Sequence, residues 1–109
     1  MVLILKKISL MDKLMEKLAA GGIKGATVLD GVGMGESLAE MEGNPMFGML
    51  RRILADEEQD ISKVVLTVLR DEQVADAKAI IKEVLGDISK PNTGIIITLP
   101  VISVEGMEE

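Results

Sequence analysis

Gly22-Ile23-Lys24-Gly25-Ala26-Thr27-Val28-Leu29-Asp30-Gly31-Val32-Gly33-Met34-Gly35 is the stretch from which the organisation of this chain is read. Gly21-Gly22 close a helix, because glycine enters the left-handed region past a helix end without a Cβ clash. Ala26-Thr27-Val28-Leu29 then extend as a buried strand, the second of the chain, over about Gly25 to Gly31. Gly31, Gly33 and Gly35 follow at every second position, so one side of the strand end carries no side chains. That bareness serves a tight bend, the close approach of another chain segment, or a ligand whose acceptor atoms meet the exposed N–H groups.

Outward from this stretch, the N-terminal Val2-Leu3-Ile4-Leu5 is a run of aliphatics expected of a central strand. It is too short for a signal peptide or a membrane span, and Lys6-Lys7 follow at once. A helix is expected from Ser9, as N-cap, to Ala20, with Leu10, Leu14, Met15 and Leu18 on its inner face. On the other side, Ser62 to Leu69 is β-branched and apolar, a third strand. Asp71 to Leu85 repeats apolar residues at helical spacing (Val74, Ala77, Ile80, Ile81, Val84, Leu85) and Gly86 ends it. A turn-rich loop, Asp87 to Gly94, leads to a fourth strand over Ile95 to Leu99. Val101 to Val104 suggest a short fifth strand.

Between strands two and three, the segment from about 36 to 60 shows no strand pattern. Asn44-Pro45 opens a short helix whose Met46, Met49, Leu50 and Ile53 share a face. Its length marks a functional loop, a lid or a partner-binding arm, set against an ordinary short helix on the sheet.

The chain is a single domain of 109 residues with 48% hydrophobic residues and one aromatic, so its core is aliphatic with methionine as filler. It has no cysteine and no histidine, which removes disulfides, thiolate metal sites and the commonest base. A net charge of −6 argues against nucleic-acid binding, and the composition fits a cytoplasmic protein without membrane insertion. Two βαβ halves give an α+β fold: a ferredoxin-like βαββαβ sandwich, four antiparallel strands with both helices on one face. The uncovered face, built from aliphatic runs, requires burial, and self-association supplies it most simply.

In this arrangement the chain resembles the PII signalling superfamily of small trimeric, nucleotide-sensing ferredoxin-like proteins. The resemblance is carried by Gly25-Ala26-Thr27-Val28, Gly33-Met34-Gly35, the long loop between strands two and three, Gly94-Ile95-Ile96-Ile97, and Pro100-Val101. It implies a homotrimer that binds an effector, an adenine nucleotide for instance, in clefts between subunits. It also implies action on a protein target, a transporter or an enzyme, through the long loop. Ala26, Thr27, Gly33 and Gly35 match the strand-two half of that site. The second half departs from the pattern: Pro91-Asn92-Thr93-Gly94-Ile95 stands where the family has Gly-Asp-Gly-Lys, so only Gly94 matches. The C-terminal arginines are replaced by an acidic tail, and the long loop holds no tyrosine to be uridylylated.

Read from the residues, Lys90 and Thr93 join this site as the cation and hydroxyl of the loop, with Arg51 and Arg52 as further cations if the long loop folds over the cleft. Asp87, Ser89, Asn92 and Thr93 read first as turn chemistry, since the loop lacks the carboxylates of a calcium site. No nucleophile–base arrangement stands out, and a non-enzymatic protein without a metal is expected. The expected ligand is less charged than ATP. A structural trimer that has lost ligand binding is the alternative.

Overall fold

The computed structural model of the chain describes residues 1–34 and 61–107. Four strands, β1 (Val2–Leu5), β2 (Thr27–Val32), β3 (Ile61–Leu66) and β4 (Gly94–Ile97), form one antiparallel sheet in the order β2-β3-β1-β4. Two helices, α1 (Met11–Ala20) and α2 (Asp71–Leu85), fill the crossovers β1-α1-β2 and β3-α2-β4. This is the ferredoxin-like α+β arrangement expected from the pattern. Among the described residues no helix is long and apolar enough to cross a membrane.

The register determines which residues face the helices. Leu3 lies opposite Val65 on β3 and Ile96 on β4, and Val65 lies opposite Val28 on β2. Directly paired residues share a face, so Leu3, Leu5 and Val65 point together toward the helices, and all three are buried. Leu14 and Leu18 from α1 and Ala77, Ile81 and Leu85 from α2 complete the core, as the helical spacing predicts.

The opposite face receives Val2 and Ile4 from β1, Leu29 from β2, Val64 and Leu66 from β3, and Ile95 and Ile97 from β4. No strand places a charged residue on it. Leu29 and Ile95 are 48% and 49% exposed in the single chain. Among the described residues this aliphatic face has no element packed over it.

Local sequence explains the helix ends. Past α1, the Ile23 N–H donates to the Leu18 carbonyl and the Gly22 N–H to that of Ala19, both at 3.0 Å. Gly22 takes φ +89°, so this is a Schellman cap whose hydrophobic contact is Leu18 with Ile23, both in the core. Gly21 is small for a different reason: a Cβ there would stand 2.5 Å from Ile80 Cδ1 on α2. At the start of α2 the Gln73 carboxamide accepts the Arg70 N–H at 3.0 Å, closing the first turn.

Several expectations are corrected. Ser9 is not the cap of α1: Ile8–Leu10 form a 3-10 turn, and no side chain caps the helix that starts at Met11. β2 has no buried residue: it is an edge strand of the four described, paired only with β3. β4 stops at Ile97, and no strand forms over 101–104. The cause is register: Ile97 already pairs with Val2, so β1 has no further strand residue to offer. β3 stops at Leu66 for the same reason, after which the Thr67 N–H reaches the Met1 carbonyl at 3.0 Å. The segment of about 36–60, with Arg51 and Arg52, lies outside the described residues.

Candidate functional site

The sheet has two ends, and the residues expected to bind a ligand divide between them. Thr27 pairs with Leu66, which pairs with Val2, so Ala26 and Thr27 lie at the Val2 end. Gly33 follows β2 at the opposite, Leu5 end, where Gly94 pairs with Leu5. Seven residues of extended chain put Ala26 about 23 Å from Gly33. Gly35 lies outside the described residues.

At the Leu5 end the order of the strands brings distant parts of the sequence together. The N–H groups of Lys6 and Lys7 both donate to the Thr93 carbonyl, at 3.1 and 3.3 Å. Thr93 is buried, and its hydroxyl donates to the Pro91 carbonyl at 3.4 Å. The carbonyl and the hydroxyl of Thr93 are thus engaged within the chain, locking the loop before β4 onto the end of β1. Gly94 is equally confined. A Cβ there would meet Leu85 Cδ2 at 2.9 Å and the Ile4 carbonyl oxygen at 3.3 Å, so glycine lets α2 close onto the sheet. Lys90 is exposed on the loop.

The rest of the loop is turn chemistry. Asp87 accepts from the Ser89 hydroxyl at 2.6 Å and the Ser89 N–H at 2.9 Å. These two bonds, the hydroxyl's first, hold its carboxyl below the usual carboxylate range. Asn92 adopts φ +58°, which asparagine tolerates, and its buried Oδ1 has no hydrogen-bond partner among the described residues.

On the far edge, the glycine run of β2 has a partly internal explanation. A Cβ on Gly31 would collide with Ser62 Oγ across the ladder and approach Val64 Cγ2 to 3.1 Å. Gly31 therefore admits a neighbouring strand's side chains. Gly33, one residue past β2, lies three strand spacings, roughly 14 Å, from the β4 edge. A single subunit does not bring Gly33 against Thr93; a ligand contacting both ends of that span would need either length or a second subunit.

Lys6 and Lys7 are the residues that the sequence reading missed. They stood in the sequence only as the end of an apolar run, whereas the fold seats them between Gly33 and the Lys90 loop. The signal was available: in this strand order β4 runs antiparallel beside β1, so the end of β1 must abut the loop before β4.

At the Val2 end, an open groove of about 590 Å³ runs between the start of α2 and the segment after β4, lined by Met1, Leu69, Glu72, Val74, Leu99 and Val101 among others. Nearby, the Thr67 hydroxyl donates to the Gly25 carbonyl at 2.6 Å and pins the entry to β2. Among the described residues no group of three acidic side chains gathers as a metal site would require. Comparison of the sequence with protein-family models and with curated proteins gives no match.

Proposed function

We propose that the chain is the subunit of a cytoplasmic, PII-like homotrimer that binds a small effector between subunits and relays its presence to a protein target through the segment of about 36–60. The observation that carries this reading is the uncharged sheet face. Side chains of β1, β2, β3 and β4 present there as a contiguous aliphatic surface, and stable monomers rarely leave such a surface to water. Two further features support a closed assembly of copies. β2 has one edge unpaired within the described residues, and the segment after β4 exposes Val101, Ile102 and Val104. Assembly through these parts would place the Leu5 end of one subunit near a neighbour, where Gly33 and Lys90 could face one cleft.

A second reading, a trimer that serves assembly alone, is favoured by one specific observation. Thr93 and Gly94 are engaged in holding β4 and α2, and Ala26 and Thr27 lie at the other end of the sheet from Gly33. A thermal-shift titration of the full chain with AMP, ADP, ATP and cyclic dinucleotides separates the two. Ligand at a hundred times its dissociation constant stabilises the native state by about 2.7 kcal/mol, which a melting curve resolves. A saturable rise with an adenine nucleotide supports the effector reading. No shift with any of them at millimolar concentration supports the assembly reading.

A further inference from the structure

The chain after β4 has the chemistry of a strand but forms none. Val101, Ile102 and Val104 are β-branched, the residue type that strands favour. Yet every residue over 97–107 is exposed, Ile102 completely, and among the described residues no backbone hydrogen bond reaches 98–107. The far edge of the sheet has the complementary lack. Beyond its ladder with β3, β2 makes no backbone bond among the described residues, and its Val28, Leu29 and Val32 are exposed. An open apolar edge of six residues is a template for one more strand.

The arm after β4 does not reach that edge in its own subunit. In the order β2-β3-β1-β4, a strand added outside β2 lies four strand spacings from β4, about 19 Å. Val101 stands four residues beyond Ile97, a reach of at most about 14 Å in extended chain. The edge that receives the arm therefore belongs to another molecule, and a second copy of this chain fits on direction, face and charge. Through the antiparallel pairs β4·β1, β1·β3 and β3·β2, β4 runs opposite to β2. An arm leaving in the sense of β4 thus meets β2 of a copy held in the same orientation antiparallel, the arrangement a hydrogen-bonded ladder accepts. Leu29 and Thr27, opposite Val64 and Leu66, point to the uncharged sheet face. With Ile102 opposite Leu29, Ile102 and Val104 extend that aliphatic face, whereas a slip of one residue puts Ser103 there instead. The same register sets Glu105 diagonal to the exposed Lys24 at the entry to β2.

We propose that residues 101–104 of one copy add an antiparallel strand to the open edge of β2 in a neighbouring copy, Ile102 lying opposite Leu29. The proposal rests on the homotrimer reading and specifies a contact within it. Arm and receiving edge sit on opposite sides of the sheet, so the contact is head-to-tail, the kind that closes into a ring.

The chain has no cysteine, so introduced thiols report single positions. Ile102→Cys combined with Leu29→Cys in one full chain, treated with a short bis-thiol cross-linker, is expected to give covalent dimers and trimers on a denaturing gel. Ile102→Cys combined with Lys13→Cys on the outer side of α1 is the control, expected to run as single chains. Light scattering on the uncross-linked Ile102→Asp/Val104→Asp protein is expected to show the mass of a single chain, with circular dichroism unchanged because both side chains are exposed in the isolated subunit. A monomeric parent refutes the homotrimer reading and this contact together. A trimeric parent whose mass persists in Ile102→Asp/Val104→Asp overturns this contact alone and leaves the sheet face as the interface. Absence of cross-links in Ile102→Cys/Leu29→Cys, or cross-links confined within single chains, also overturns it, whatever the mass.

Discussion

Neighbouring substitutions on β3 separate folding from assembly. Val65 is 2% exposed among the core side chains, while Leu66, one residue on, points to the uncovered face and is 39% exposed in the single chain. In Val65→Asp a carboxylate would enter an apolar site with no cation within the core. Burial raises such a pKa by up to about 3–5 units at about 1.4 kcal/mol each, so keeping it charged at neutral pH costs roughly 4–7 kcal/mol. The lost valine adds about 1.5–2 kcal/mol. A domain of this size has roughly 5–15 kcal/mol in all, so the variant is expected to be unfolded or nearly so. Leu66→Asp places the same charge where water reaches it in the isolated subunit. It should cost the subunit on the order of 1 kcal/mol yet abolish association, since the charge would have to enter an apolar interface. Far-ultraviolet circular dichroism reports the fold and light scattering the mass. The expected pattern is an unfolded Val65→Asp and a folded, monomeric Leu66→Asp. A Val65→Asp protein that keeps parental ellipticity and melting temperature would refute the assignment of faces. A Leu66→Asp protein that keeps the parental mass would refute the uncovered face as the interface.

Other expectations follow from single contacts. Thr67→Val removes the bond to the Gly25 carbonyl; because Gly25 is exposed and water can replace the donor, denaturation should show a loss near the low end, about 1 kcal/mol. Gly94→Ala forces a Cβ against Leu85 and the Ile4 carbonyl and should cost about 1–3 kcal/mol in the same assay, with no ligand present. Asp87 should titrate below an ordinary aspartate by NMR and return part of the way to the ordinary value in Ser89→Ala, because the substitution removes the hydroxyl donor, the larger cause, and keeps the backbone N–H at residue 89. Since folding lowers this pKa, its contribution to stability is present above the unfolded-state value and is lost as pH falls through the folded one. An unchanged Asp87 titration in Ser89→Ala would contradict that cause.

The core was readable from periodicity. Leu14, Leu18, Ala77, Ile81 and Leu85 recur at helical spacing and are buried, and the bounds of β1 and α2 agree with the residues. What the sequence hid was pairing. A run such as Thr27-Val28-Leu29 looks the same whether the strand is central or at an edge, so β2 read as buried. The lengths of β3 and β4 were overstated because a strand ends where its neighbour ends, and β1 begins at Val2. Ser9 has the chemistry of a cap, but Ile8–Leu10 tighten into a 3-10 turn first. At the candidate site the glycines were visible, though not what fills the space beside them. Gly31 yields to Ser62 and Val64, and Gly94 yields to Leu85. Lys6 and Lys7 read only as the end of an apolar run until the β1–β4 pairing set their backbone beside the loop before β4.

The account stands most directly on the mass of the parent protein in solution. Multi-angle light scattering at micromolar concentration is expected to give three times 11.7 kDa, about 35 kDa, because the proposed homotrimer buries the uncharged sheet face between its copies. A single species at 11.7 kDa, with the sheet face left to water, would contradict it.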